Sequence, residues 1–276
     1  MVSTLLMIFT TIISLCIKST AMKKIFAACL LFSLFACNNQ NSNSTEKKST
    51  ENVVTADNAS TGNCGSLILF KKGAVIEGTS YDANGKQTYK ETTTVTNVSE
   101  EGGILIATSS SVTNGTAGEK TINLVYKCDG TNLYLDINAM LANFAGMGKV
   151  KGDVKPVQFP INISEGQTLP EASYTISMDR GAVQMDITST ITNRTVGAKE
   201  KITTTAGSWD CYKVSNDVDS DVQGLDEKTK KIMDAVKDKM KMNMVMWYTP
   251  ELGIVRTEMY SNGKLNSRTD ITAIKN

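Results

Sequence analysis

From Gly65 onward, polar and apolar residues alternate in short runs that are rich in Thr and Val and broken by Asn-Gly and Asp-Gly pairs. Alternation with period two puts every second side chain on one face, the signature of half-buried strands. Residues 74–81 and 87–98 flank Asn84-Gly85, a pair that takes the positive φ angles of a tight hairpin. Residues 104–112 and 120–127 flank Asn114-Gly115, and Asp129-Gly130 turns the chain into the alternating stretch 132–137. The first half therefore predicts an antiparallel meander. The second half repeats it, pairing 173–178 with 182–192 and 199–205 with 209–215. Residues 240–249 then pair with 254–260, and Asn262-Gly263 turns the chain into 265–274.

Two stretches leave this rhythm. Met140, Leu141, Phe144 and Met147 fall at helical spacing behind Asn138 as N-cap, predicting a short helix over 138–147 that Gly146 or Gly148 ends. Leu225, Ile232, Met233, Val236 and Met240 mark one face of a longer amphipathic helix over 225–239, opposite Lys228, Lys231, Asp234 and Lys237. Residues 149–170, with Phe159-Pro160 and Gly166, predict an ordered loop. The expected class is mainly β with minor α, as one domain over 64–276.

The N-terminal pattern is of another kind. Lys23-Lys24, an apolar run over 25–36 and a small residue before a cysteine have the layout of a secretory signal. Leu34-Phe35-Ala36-Cys37 resembles the cleavage motif of bacterial lipoproteins, with Phe35 bulkier than that motif usually carries. The run falls short of the about 20 residues a spanning helix needs. Cleavage and lipidation at Cys37 are the expectation, with 1–36 as signal region. The apolar run over 5–16 lacks a preceding basic residue, which points to translation starting at Met22. Residues 38–63 are rich in Asn, Ser, Thr, Lys and Glu and bury too little to order themselves. As a lipidated tether, 37–63 has a root-mean-square reach of roughly 25–30 Å. The earliest acid after Cys37 is Glu46, a layout that resembles retention at the outer membrane facing the periplasm.

Composition narrows the chemistry. Histidine is absent, which excludes Ser-His-Asp and Cys-His catalysis, His-ligated metals and a His-based pH switch. Removing 1–36 takes away Lys18, Lys23 and Lys24 and no acid, turning the net charge of +1 slightly negative. No basic surplus supports binding to nucleic acid. Cys16 and Cys29 leave with the signal and Cys37 takes lipid, so Cys64, Cys128 and Cys211 remain as candidate disulfide partners, with no pairing favoured. CxxC spacing is absent. Asp217, Asp219 and Asp221 alternate like a calcium loop, but Val222 and Lys228 stand where Gly and Glu are needed, so a solvated strand edge is expected instead. No metal or other cofactor is expected. Ser109-Ser110-Ser111 lies in a strand with no base foreseen beside it, and no catalytic residue is assigned.

The most unusual stretch is 239–248, where Met240, Met242, Met244 and Met246 alternate and lead into Tyr248. On a strand these methionines share one face. Methionine fills irregular gaps, so the face is either core against the preceding helix or a deformable wall for an apolar ligand. Met140 and Phe144 of the short helix are expected to complete that wall.

Three passages together resemble the TapB-type family of uncharacterised secreted and lipid-anchored β-domains of Bacteroidota. They are Gln158-Phe159-Pro160-Ile161 with Glu165-Gly166-Gln167-Thr168, then Thr205-Ala206-Gly207-Ser208-Trp209-Asp210-Cys211-Tyr212-Lys213-Val214, and last Trp247-Tyr248-Thr249-Pro250-Glu251-Leu252-Gly253-Ile254-Val255-Arg256-Thr257-Glu258. The resemblance implies a curved antiparallel sheet or half-open barrel around a helix, similar to periplasmic lipoprotein carriers. It brings no catalytic residues. The sequence thus predicts a non-enzymatic, lipid-anchored envelope protein that binds a lipid or other apolar ligand, or else docks onto an envelope protein partner.

Overall fold

Residue parity and turn chemistry build almost the whole described chain into strands. The computed structural model describes residues 62–115, 118–136, 138–139, 149–154, 157–179, 184–224, 227, 230–231 and 241–275. Two 3-10 turns, Gly62–Ser66 and Ile68–Phe70, precede the strands β1 (Val75–Asp82), β2 (Gln87–Glu101), β3 (Ile104–Gly115), β4 (Gly118–Cys128) and β5 (Asn132–Leu135). Then come β6 (Lys149–Val154), β7 (Val157–Pro160), β8 (Ala172–Asp179), β9 (Gln184–Thr204) and β10 (Gly207–Gln223). The last three are β11 (Met242–Thr249), β12 (Gly253–Ser261) and β13 (Lys264–Lys275).

They form one antiparallel 13-stranded sheet in the order β6-β8-β9-β10-β11-β12-β13-β1-β2-β3-β4-β5-β7. At the last hairpin Asn262 and Gly263 both take positive φ, at 52° and 72°, which matches the twist of the strands they join. Asn114-Gly115, foreseen as a turn, instead ends strand β3, paired with Glu119 and Gly118 of β4. At Asp82, Oδ1 accepts from the amides of Asn84 and Lys86 at 2.9 Å each and fixes the first turn.

Closure follows from connectivity. β6 is one edge of the sheet and β7 the other, yet only residues 155 and 156 separate Val154 from Val157 in the chain. Three residue steps span at most roughly 11 Å. The two edges must lie close, so the sheet is a nearly closed, barrel-like one. The ring contact of Phe159 on β7 with Tyr248 on β11, centroids 4.7 Å apart, shows the sheet's own face meeting itself.

Several expectations change. The loop foreseen over 149–170 carries strands β6 and β7, and of its described residues 161–170 are irregular. That segment is tied to β9 through Gly166 N to Val196 O, Val196 N to Gln167 O and Leu169 N to Arg194 O. The separate strands foreseen at 182–192 and 199–205 are one strand, β9, with breaks in register opposite β10. Asn193 takes φ 51° there and flips the alternation, so Ile187, Ser189 and Ile191 are followed inward by Arg194 and Val196. Of the three aspartates foreseen at a strand edge, Asp217 lies where β10 is paired on both sides, whereas Asp219 and Asp221 lie beyond Val218, where the described pairing of β10 is with β9 alone. Of the two predicted helices, Asn138, Ala139, Glu227, Lys230 and Lys231 are helical, and the rest lies outside the described residues. So do Cys37 and the tether. Cys64 and Cys128 form a buried disulfide, which leaves Cys211 as the free, buried thiol among the described residues.

Candidate functional site

Facing residues in an antiparallel pair project to the same side, so one face can be followed strand by strand. Met244 faces Met259 on β12, and Thr257 beside it faces Thr269 on β13. Thr269 faces Ser80 on β1, and Gly78 of the same parity faces Glu91 on β2. Thr93 then faces Ser111, Val95 faces Ser109, and Ser109 faces Leu124. Cys128, in phase with Leu124, faces Leu133, which faces Phe159 on β7. Because Phe159 returns to touch Tyr248, this is the inner face throughout.

Met242, Met244, Met246 and Tyr248 lie on that face and are all buried. Val218, Asn216 and Val214 of β10 stand opposite the three methionines and are buried with them. Tyr248 is held by its hydroxyl, which donates to the Ile161 carbonyl at 2.8 Å, and burial pushes its pKa well above the ordinary range. The predicted wall is thus assembled as far as it is described. Met240, Met140 and Phe144 lie outside the described residues.

β11 is also buried on its other side, which alternation alone did not foretell. Val245 and Trp247 pack with Ile202, Cys211 and Val255, and Trp209, Leu252 and Tyr260 are partly buried against them. The Trp247 indole donates to Glu200 Oε2 at 2.9 Å, and Lys213 lies 5.8 Å from the ring centroid. Gly207 makes room here, since a Cβ on it would come within 2.9 Å of the Trp209 ring. Burial, with Asp210 and Glu251 nearby, pushes the Cys211 thiol up to about 11, so this sulfur stays protonated and packs as an apolar group.

The inner face is not apolar throughout. Buried Arg194 donates through Nε to Asn216 Oδ1 at 3.3 Å and through Nη1 to the carbonyls of Gln158, at 3.1 Å, and Pro170. Burial lowers its pKa, and these neutral acceptors are what hold the charge. On β2 and β3, Ser111 Oγ donates to Glu91 Oε1 at 2.5 Å, and Thr93 Oγ1 donates to Ser111 at 3.1 Å. The expectation that the serine run has no base beside it is therefore corrected: a carboxylate lies against Ser111. The available signal was phase, because Glu91 alternates in step with Val95. Among the described residues, no group of three His, Cys, Asp or Glu could hold a metal ion.

Fold and face together define a nearly closed antiparallel β-domain with a mixed inner surface. The chain belongs to the DUF3108-like family, whose pattern matches residues 71–271. Two solved structures share the fold. One is a protein provisionally described as exported, with a YmcC-like fold, from Bacteroides fragilis NCTC 9343. It is 21% identical with a TM-score of 0.54, over 75% of this chain and 97% of that one. The other is provisionally described as a lipoprotein of Parabacteroides distasonis ATCC 8503, 21% identical with a TM-score of 0.55, over 80% of this chain and 100% of that one. At that identity the likeness is one of fold. No curated protein matches the chain.

The three passages that carried the TapB-type resemblance converge on β11. Phe159 and Ile161 meet Tyr248 from the inner side, and Trp209 and Cys211 meet Trp247 from the outer side.

Proposed function

We propose that this chain is a lipid-anchored protein of the cell envelope whose β-domain binds an apolar ligand, such as a lipid, without catalysis. The observation that carries this is the row Met242, Met244, Met246 and Tyr248 on the inner face of a nearly closed sheet. Methionine side chains repack around different chain shapes at little energetic cost, which suits a carrier more than a rigid core. Support for export and anchoring comes from the Cys37 motif and from the descriptions of the two structural relatives as exported and as a lipoprotein. In this reading the lipid on Cys37 sits in the outer membrane, the domain faces the periplasm and the TapB-type likeness holds. Nucleic acid and cofactors have no part in it.

Native mass spectrometry tests the ligand. The chain carrying Cys37→Ala, exported to the periplasm and purified without detergent, is expected to carry an adduct of lipid mass. A Met244→Asp variant that stays folded should lose it. A bare mass at full occupancy overturns the carrier reading and leaves docking onto an envelope protein, which crosslinking would then seek. Lipid labelling of the unaltered chain, abolished by Cys37→Ala, tests the anchor.

A further inference from the structure

We propose that Glu91, Ser109 and Ser111 form a receiving site for the ammonium group of an amphipathic amine, whose hydrocarbon runs along the inner face to the methionine row; this rests on the apolar-ligand reading above. Glu91 is buried at 8% exposure, and its one described hydrogen bond is the neutral one from Ser111. Among the described residues it has no ion-pair partner, whereas buried Asp270 has Arg256 at 2.6 Å and Arg268 at 3.3 Å. A carboxylate withdrawn from water without a counter-charge is costly, and a bound cation relieves that cost.

The second observation is independent. Ser109 has no exposed surface, and its Oγ has no hydrogen-bond partner among the described residues. It lies two residues from Ser111 on the same face, roughly 7 Å along the strand. An ammonium group has three donors and no acceptor, which suits a carboxylate flanked by hydroxyl oxygens. A metal ion fits less well, because among the described residues the neighbourhood offers one carboxylate and no cluster of ligating side chains.

The path from this site to the methionines is floored by small side chains. Gly78 and Ser80 on β1 and Thr269 on β13 separate Glu91 from Thr257 and Met259 on β12. The Ser80 and Thr269 hydroxyls bond each other at 2.6 Å and so make few demands on a ligand. Four strand spacings separate β2 from β11, at most roughly 19 Å along the sheet. That matches a long alkyl chain with its amine at one end.

The test titrates the full exported chain with dodecylamine and with dodecanol, both below their aggregation limits, at neutral pH and by calorimetry. The amine is expected to bind at least tenfold more tightly than the alcohol. Glu91→Gln should erase that preference while leaving dodecanol affinity unchanged, which also shows that the variant is folded. Ser109→Ala, a milder change, should weaken amine binding a few-fold and leave the alcohol alone. Equal affinity for the two probes, or a preference that survives Glu91→Gln, overturns the ammonium site and leaves the apolar reading standing. Binding of neither probe overturns both.

Discussion

The inner face has two halves of opposite character. Across β10, β11 and β12 it presents Val214, Val218, Met242, Met244, Met246 and Met259, with Asn216 among them and Arg194 on the neighbouring β9 locked into hydrogen bonds. Across β1, β2 and β3 it presents Ser80, Glu91, Thr93, Ser109 and Ser111, in strands of the same parity and the same sheet. In the first half nearly all polar groups are answered within the fold, so stability and structure coincide. In the second half a carboxylate and a hydroxyl are kept at the expense of stability, and such a departure from local consistency is where function is to be sought.

The contrast can be broken from either side. The largest effect is expected from Cys64→Ser, which frees the end of β4, the strand that flanks the polar half. Opening a loop with a sequence separation of 64 should cost about 4 kcal/mol in denaturant unfolding under oxidising conditions, and an unchanged midpoint would refute it. On the methionine side, Met246→Ala should cost about 3 kcal/mol if the site is well packed. A loss well below 1 kcal/mol would mean that this row is loosely filled, as a ligand wall would be. Tyr248→Phe removes the hydrogen bond to Ile161 and leaves that carbonyl unanswered, for about 1–2 kcal/mol. Ser109→Ala should run the other way in ligand-free protein and stabilise it by about 1 kcal/mol, since it removes a buried unmatched hydroxyl. A lower thermal midpoint would show that the hydroxyl is satisfied after all.

The smallest effect concerns acid. Burial raises the Asp136 carboxyl, but the Ala139 amide and Lys127 ammonium outweigh it and hold the group below its usual range. A depressed carboxylate stabilises the fold above its unfolded value of about 3.9, and that contribution fades as pH falls through the lower folded value. Unfolding followed below pH 4 should therefore be less steep in Asp136→Asn than in the parent.

Hairpins were legible because Asn84-Gly85 and Asn262-Gly263 specify turns through backbone sterics alone. β9 was not, because the bulge at Asn193 breaks its alternation while the strand continues. β6 and β7 are short edge strands whose pairing with β8 and β5 is decided far away in sequence. The methionine face was readable from spacing, whereas the burial of Val245 and Trp247 behind it depends on the Trp209–Cys211 stretch of another hairpin. Spacing could not choose among Cys64, Cys128 and Cys211, since the choice rests on the 3-10 turns reaching the end of β4. Glu91 was overlooked because a glutamate in a threonine-rich strand reads as its wet side, and only phase with Val95 argued otherwise.

The pairing of β1 with β13 has a consequence for how the chain comes into being. Val75 sits opposite Lys275, so the middle of the sheet joins segments made almost two hundred residues apart. Contacts of such long range slow folding, since the loop between them must be closed first. Until Lys264–Lys275 has emerged from the ribosome, β1 lacks one of its two neighbours and the sheet cannot be completed. A chain that stays open while it is being made is one that a translocation channel for unfolded polypeptides can thread.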